Sequence, residues 1–151
     1  MVESHYKFVQ IDHLSDIGIE AYGSSKEELF ENEALGMFSI MCDLTNIKQI
    51  KRKKIFIKAE EIMELEDFLL LWLEKLLYIY EVEKMLFSRF DISRIENKNS
   101  YKSISAVIYG EKIDLGRHEL RTAIKEPTYH KLYLKKDENT GIWIARVIFD
   151  V

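Results

Sequence analysis

The chain carries one cysteine, Cys42, among its 151 residues, so no internal disulfide can form and a reducing compartment is expected. Cys42 closes an apolar run that begins at Met37, where a thiol serves as a small buried hydrophobe rather than as a nucleophile. Proline is equally scarce: Pro127 stands alone, and no repeat, low-complexity tract or Pro/Gly-rich linker interrupts the sequence. A single domain over residues 1–151 is therefore expected. Long hydrophobic runs are missing too, since the stretch from Phe68 to Leu73 stops at Glu74 and Lys75. A membrane span needs roughly 20 such residues. No cationic segment followed by an apolar core opens the sequence, so a soluble cytoplasmic protein is expected.

Basic residues are not in excess: Lys and Arg number 22 against 26 Asp and Glu, a net charge of −4. That sign opposes a free-standing nucleic-acid binder working by counterion release, and any role with RNA is expected to be indirect. No glycine-rich phosphate loop of the GxxxxGK[ST] or GxGxxG kind occurs, and no nucleophile elbow. A nucleotide-using enzyme is not expected.

What the chain does have is core-forming material, 47% hydrophobic and 12% aromatic, enough to fold without staples. Between His5 and Ile11 the residues Tyr6, Phe8 and Ile11 are spaced like a short strand, and Ile17, Ile19 and Ala21 alternate like a half-buried one. Ser25 with Glu28 forms a capping box for a first helix, marked by Phe30, Ala34, Met37, Phe38 and Met41 and ending near Asp43. Ile47 to Ala59 alternates lysines with isoleucines, a strand with one wet face. Leu65, Leu69, Trp72, Leu73, Leu76 and Tyr80 mark the wide apolar stripe of a second helix. Strand-like runs follow at Leu86 to Ile95, Tyr101 to Tyr109, Thr128 to Leu134 and Ile142 to Phe149, separated by turn-forming segments. This order predicts an α+β domain with two helices packed on a mostly antiparallel or mixed sheet.

Four constellations could carry chemistry. In the turn IDHLSDIGIEAYG, the residues Asp12, His13 and Asp16 lie within five positions, so their oxygens and imidazole can converge, although Asp also favours turns for its own backbone bonding. At the other end, VIFDV sets Asp150 beside the terminal carboxylate of Val151. If that end lies beside Asp16, three carboxylates concentrate a formal charge of −3, which calls for protonation or a cation. An all-oxygen set favours a hard divalent ion, calcium, magnesium or manganese, over zinc. The segment GRHELRTAIKEPTYH holds Arg117, His118, Lys125 and His130 without zinc-site spacing or a Ser-His-Asp order; a lone histidine there is more often a hydrogen-bonded structural residue. The basic run Lys48, Lys51, Arg52, Lys53 and Lys54 reads as a solvated strand face that also protects a sheet edge.

Taken together these blocks resemble the archease family. IDHLSDIGIEAYG is similar to its N-terminal Asp-His-Thr-Ala-Asp signature, EELFENEALGMFSIMCDL and LLLWLEKLLYIYE to its two helices, GEKID with RHELRTAIKEPTYH to its central block, and WIARVIFDV to its ending. Leu14 and Ser15 replace the usual Thr and Ala, and Arg117 stands where lysine commonly precedes the histidine. The resemblance implies a non-enzymatic accessory protein that promotes guanylylation and repeated turnover of an RtcB-type tRNA-splicing RNA ligase. It implies a divalent ion, calcium foremost with manganese or magnesium as alternatives, between Asp16, Asp150 and the carboxylate of Val151. Asp12, His13, Arg117, His118 and Lys125 are then candidate contacts to the partner. The alternatives are a modulator of a tRNA methyltransferase, a metal-dependent hydrolase built on Asp12, His13 and Asp16, and an RNA-binding module around Lys51 to Lys54.

Overall fold

The first helix shows how closely local sequence chemistry is followed. Ser25 accepts the amide of Glu28 at 3.1 Å and so caps α1, Lys26–Met41. The reciprocal half of the box is displaced by one residue: the Glu28 carboxylate takes the amide of Ser24, at 2.6 Å. At the far end Cys42 turns its amide back to the carbonyl of Phe38, and its side chain is fully buried. Burial pushes the thiol above its ordinary pKa, in keeping with a packing role.

The structure, a computed structural model, describes residues 7–13 and 16–151; the side chain of His13 is outside the described set, as are His5, Tyr6, Leu14 and Ser15. The hairpin β1, Phe8–His13, and β2, Asp16–Gly23, leads into α1. A short 3-10 turn at Leu44–Asn46 precedes β3, Lys51–Ala59. Then come α2, Leu65–Glu83, and the strands β4, Met85–Asn97, β5, Lys102–Lys112, β6, Glu126–Lys136, and β7, Trp143–Asp150. Every strand and helix expected from the sequence is present, with ends shifted by a few residues.

The strands divide between two sheets, ordered β1-β2-β7-β6 and β3-β5-β4, and each pairing is antiparallel. Both helices touch both sheets: α1 packs on β2 and β4, and α2 on β6 and β4. The core thus lies between the sheets, where Phe38 sits edge-on to Phe87 at 5.8 Å and Trp72 meets Phe90 at 6.3 Å. The buried indole of Trp72 donates to the carbonyl of Phe30 at 3.1 Å, satisfying its one polar atom.

Close approach explains two glycines. A Cβ on Gly110 would fall on the carbonyl of Leu86, where β4 bulges between Phe87 and Arg89. One on Gly36 would stand 2.5 Å from the Cγ2 of Ile19, so α1 rides directly on β2. The bulged strand β4 leaves amides unpaired on its outer edge, and α1 supplies their acceptors. Glu31 takes the amide of Ile92 at 2.8 Å and Glu27 that of Ile95 at 3.1 Å.

Candidate functional site

The strand register decides which acidic residues meet. Within the first hairpin Asp12 pairs with Ile17 and His13 with Asp16. Directly opposed residues share a face and successive residues alternate, so Asp12 lies on the face of Ile17 and Asp16 on the opposite one. Asp12 instead accepts from the side chain of Gln10 at 3.1 Å. Asp12 and Asp16 thus lie on opposite faces of a hairpin tighter than a five-residue turn, and the convergence that their spacing allowed is not formed.

Asp16 does meet the chain end. Ile17 pairs with Phe149 across β2 and β7, so Asp16 and Asp150, each one residue further out, fall beside one another at the same corner of the sheet. Pairing of Asp150 with Glu126 and a 2.8 Å hydrogen bond from the Lys125 amide to the Asp150 carbonyl fix that end. Val151 follows with 40% exposure. His130 places its Nε2 3.6 Å from the Asp16 carboxylate, an ion pair when the imidazole is protonated. Among the described residues no three His, Cys, Asp or Glu side chains are set to hold an ion. The register brings two side-chain carboxylates, Asp16 and Asp150, to this corner.

On the same outer face a cavity of about 220 Å³ is lined by Ile11, Asp16, Lys131, Arg146 and Ile148. Behind it, burial would raise the pKa of Glu20, but hydrogen bonds from Tyr133 and Tyr22, with the Arg146 charge, outweigh it and hold the carboxyl below its ordinary value. The Arg146 guanidinium stacks on the Tyr133 ring at 4.8 Å.

The Arg117 and His118 pair does something else. His118 is 2% exposed and receives the amide of Asp114 on Nδ1 at 2.9 Å, which leaves the proton on Nε2. Nε2 donates to Glu111 at 2.8 Å, the Arg117 guanidinium bridges the other Glu111 oxygen and the Asn46 carbonyl, and the amide of Lys48 donates to Glu111 at 2.7 Å. Burial works against the charged form of Glu111. Arg117, the Lys48 amide and His118 overcome it, and the pKa is lowered to about 2. His118 is therefore buried and bonded to Glu111, the hydrogen-bonded structural role that the sequence also allowed it. Arg117, 36% exposed at its side chain, clamps the loop before β3 to the loop after β5. Lys125 presents an exposed side chain while its amide serves the chain end.

Glu111 went unnoticed as a site residue in the sequence; the only signal was a carboxylate next to the apolar alternation of β5, upstream of an Arg-His pair. Glu33 is a second unanticipated acid, fully buried on α1 with neither oxygen in hydrogen-bond geometry. Burial first, and then the Glu20 charge, raise its pKa well above the ordinary value; the nearby Ala21 amide opposes them only weakly.

The fold and this corner define a class: a small α+β domain of two antiparallel sheets around two helices, with a carboxylate-lined strand end and a buried Glu-Arg-His clamp. Residues 8–151 match the model of the archease protein family. The chain belongs to the archease family. Protein archease of Methanosarcina barkeri is 37% identical over 96% of each chain, and that of Sulfolobus acidocaldarius 38% identical over 96% of this chain and 99% of its own. The solution structure of Methanobacterium thermoautotrophicum protein 1598 superposes with a TM-score of 0.80 at 34% identity, covering 96% of this chain and 99% of that one. No helix among the described residues is long and apolar enough to cross a membrane.

Proposed function

We propose that this archease is a cytoplasmic accessory protein, not itself an enzyme, that activates an RtcB-type tRNA-splicing RNA ligase, and that a divalent cation, calcium foremost, is held by Asp16, Asp150 and the carboxylate of Val151. The observation that carries the reading is the β2–β7 register, which sets Asp16 beside Asp150 at the chain end. Two carboxylates and a main-chain carboxylate make a hard, all-oxygen set of high negative charge. Asp16 and Asp150 would hold such a cation, which would supply a fixed positive charge where the last strand meets the first hairpin; the Lys125 amide, on the Asp150 carbonyl, orients that end. His130, with its Nε2 3.6 Å from the Asp16 carboxylate, is the neighbour that such a cation would share Asp16 with.

The hydrolase alternative loses support from the register that separates Asp12 from Asp16. The test is guanylylation of the cognate ligase in single turnover, with and without this protein. Acceleration by wild type and its loss in Asp16→Ala, with an unchanged thermal melt, is the expected result. An unchanged ligase rate at saturating wild-type protein overturns the proposal, and enrichment of a tRNA methyltransferase in a pull-down from native cells would redirect it.

A further inference from the structure

The outer face of the β3-β5-β4 sheet is turned away from both helices. The inward residues Ile55, Ile104, Ile108, Phe90 and Ile92 are buried, whereas Phe56 on the other face is 65% exposed. Alternation along β3 splits the basic run. Lys53 turns inward and reaches Glu83 on α2 at 3.0 Å, and Arg52, Lys54 and Lys58 fall with Phe56 on the outer face. Register places Tyr109, Val107, Ser105 and Ser103 of β5 opposite Arg52, Lys54, Phe56 and Lys58. On β4 the cations of this face are already matched, Arg89 by Asp91 at 2.8 Å and Arg94 by Glu96 at 2.9 Å. Arg52 and Lys54 have no ion-pair partner among the described residues, and Lys58 lies 4.9 Å from the Tyr101 ring centre.

The geometry points to a platform for single-stranded RNA on this face, with Phe56 stacking a base and Arg52, Lys54 and Lys58 tracking the phosphates. Alternate residues on a strand are about 6.8 Å apart, on the scale of the step between successive phosphates in an extended single strand. The row is one residue wide, and Ser105 beside Phe56 leaves the ring face open to a flat base. A protein partner needs a broad contact with an apolar centre, on the order of 800 Å² per side, and the rings of Phe56 and Tyr109 with one valine do not provide that. Three cations in file without an ion-pair partner among the described residues, on a chain of net charge −4, make the local field opposite in sign to the whole. The site stands apart from the Asp16 corner and does not depend on the ligase reading, since binding is measured with this protein alone.

The experiment is fluorescence anisotropy of a labelled oligouridylate of about a dozen nucleotides, titrated with the protein over a salt series. Saturable binding at low salt is expected. Replacing Arg52, Lys54 and Lys58 together by alanine should weaken it tenfold or more and flatten the log-log salt slope by about 2, given roughly 0.7 per phosphate contact on single strands. Phe56→Ala should cost roughly tenfold at an unchanged slope, and Phe56→Trp should restore affinity, because stacking is not screened by salt. Alanines at Lys7, Lys75 and Lys135 control for net charge. Failure of wild type to bind, equal binding by the Arg52/Lys54/Lys58 variant, or capture of polyglutamate in place of the oligonucleotide overturns the inference. A ligase that is still activated by the Arg52/Lys54/Lys58 variant separates this face from the metal corner.

Discussion

Replacing Glu111 by glutamine tests the buried clamp directly. The substitution keeps the shape and one acceptor but removes the charge that holds Arg117, His118 and the Lys48 amide. A carboxyl held at about 2 instead of 4.5 corresponds to roughly 3 kcal/mol at 1.36 kcal/mol per pKa unit. Arg117 is 36% exposed, so solvent screens its share, and about 2 kcal/mol is the working figure. For a chain of this length that lowers Tm by about 4–8 °C. Because the folded-state pKa lies below the unfolded one, the contribution is fully present above about pH 4.5 and is lost as pH falls toward about 2. Thermal melts of wild type and Glu111→Gln should therefore differ at pH 7 and converge near pH 2. Equal Tm at pH 7 would refute a charged clamp, and a constant difference down to pH 2 would refute its titration.

Glu33 should behave in the opposite sense. Its folded-state pKa is raised, so the chain loses stability as pH rises above about 4.5, and Glu33→Gln should stabilise by about 1–3 kcal/mol at pH 8 but not near pH 4. Urea titrations at the two pH values decide it, and a variant no more stable than wild type at pH 8 would show that the carboxyl finds a partner. Gly36→Ala forces a methyl against Ile19 and should cost about 1–3 kcal/mol, read as a lower urea midpoint at unchanged slope. Phe38→Ala empties the centre of the aromatic cluster and should cost about 3–5 kcal/mol in the same titration. Extending the chain past Val151 by a short flexible tag moves the terminal charge away. Calorimetry with calcium should then show weaker binding than for the same tag at the N-terminus, and equal affinities would remove the Val151 carboxylate from the ligand set.

The elements were legible because their signals are local. Ser25 and Glu28 announced α1, the stripe from Leu65 to Tyr80 announced α2, and period-two alternation announced the strands. Family membership was legible for the same reason, as ordered blocks along the chain. The acidic corner needed both: Asp16 and Asp150 were singled out as acids at a turn and a strand end, but their adjacency required the β2–β7 register, a contact across more than 130 positions. The opposed faces of Asp12 and Asp16 depend on a hairpin whose length no propensity states.

Three things were decided only by tertiary structure. Alternation along β3 already split the basic run, but which β5 residues face Arg52, Lys54 and Lys58, and that Lys53 reaches Glu83 on α2, depended on the assembled chain. The burial of Glu111 and His118 and the bond between them emerged only with the loop from Asp114 in place, since burial is a property of what covers a side chain. The division of seven strands into two sheets around the helices depends on non-local hydrogen bonds. Periodicity states that a strand has a buried face, and only the assembled chain states against what it is buried.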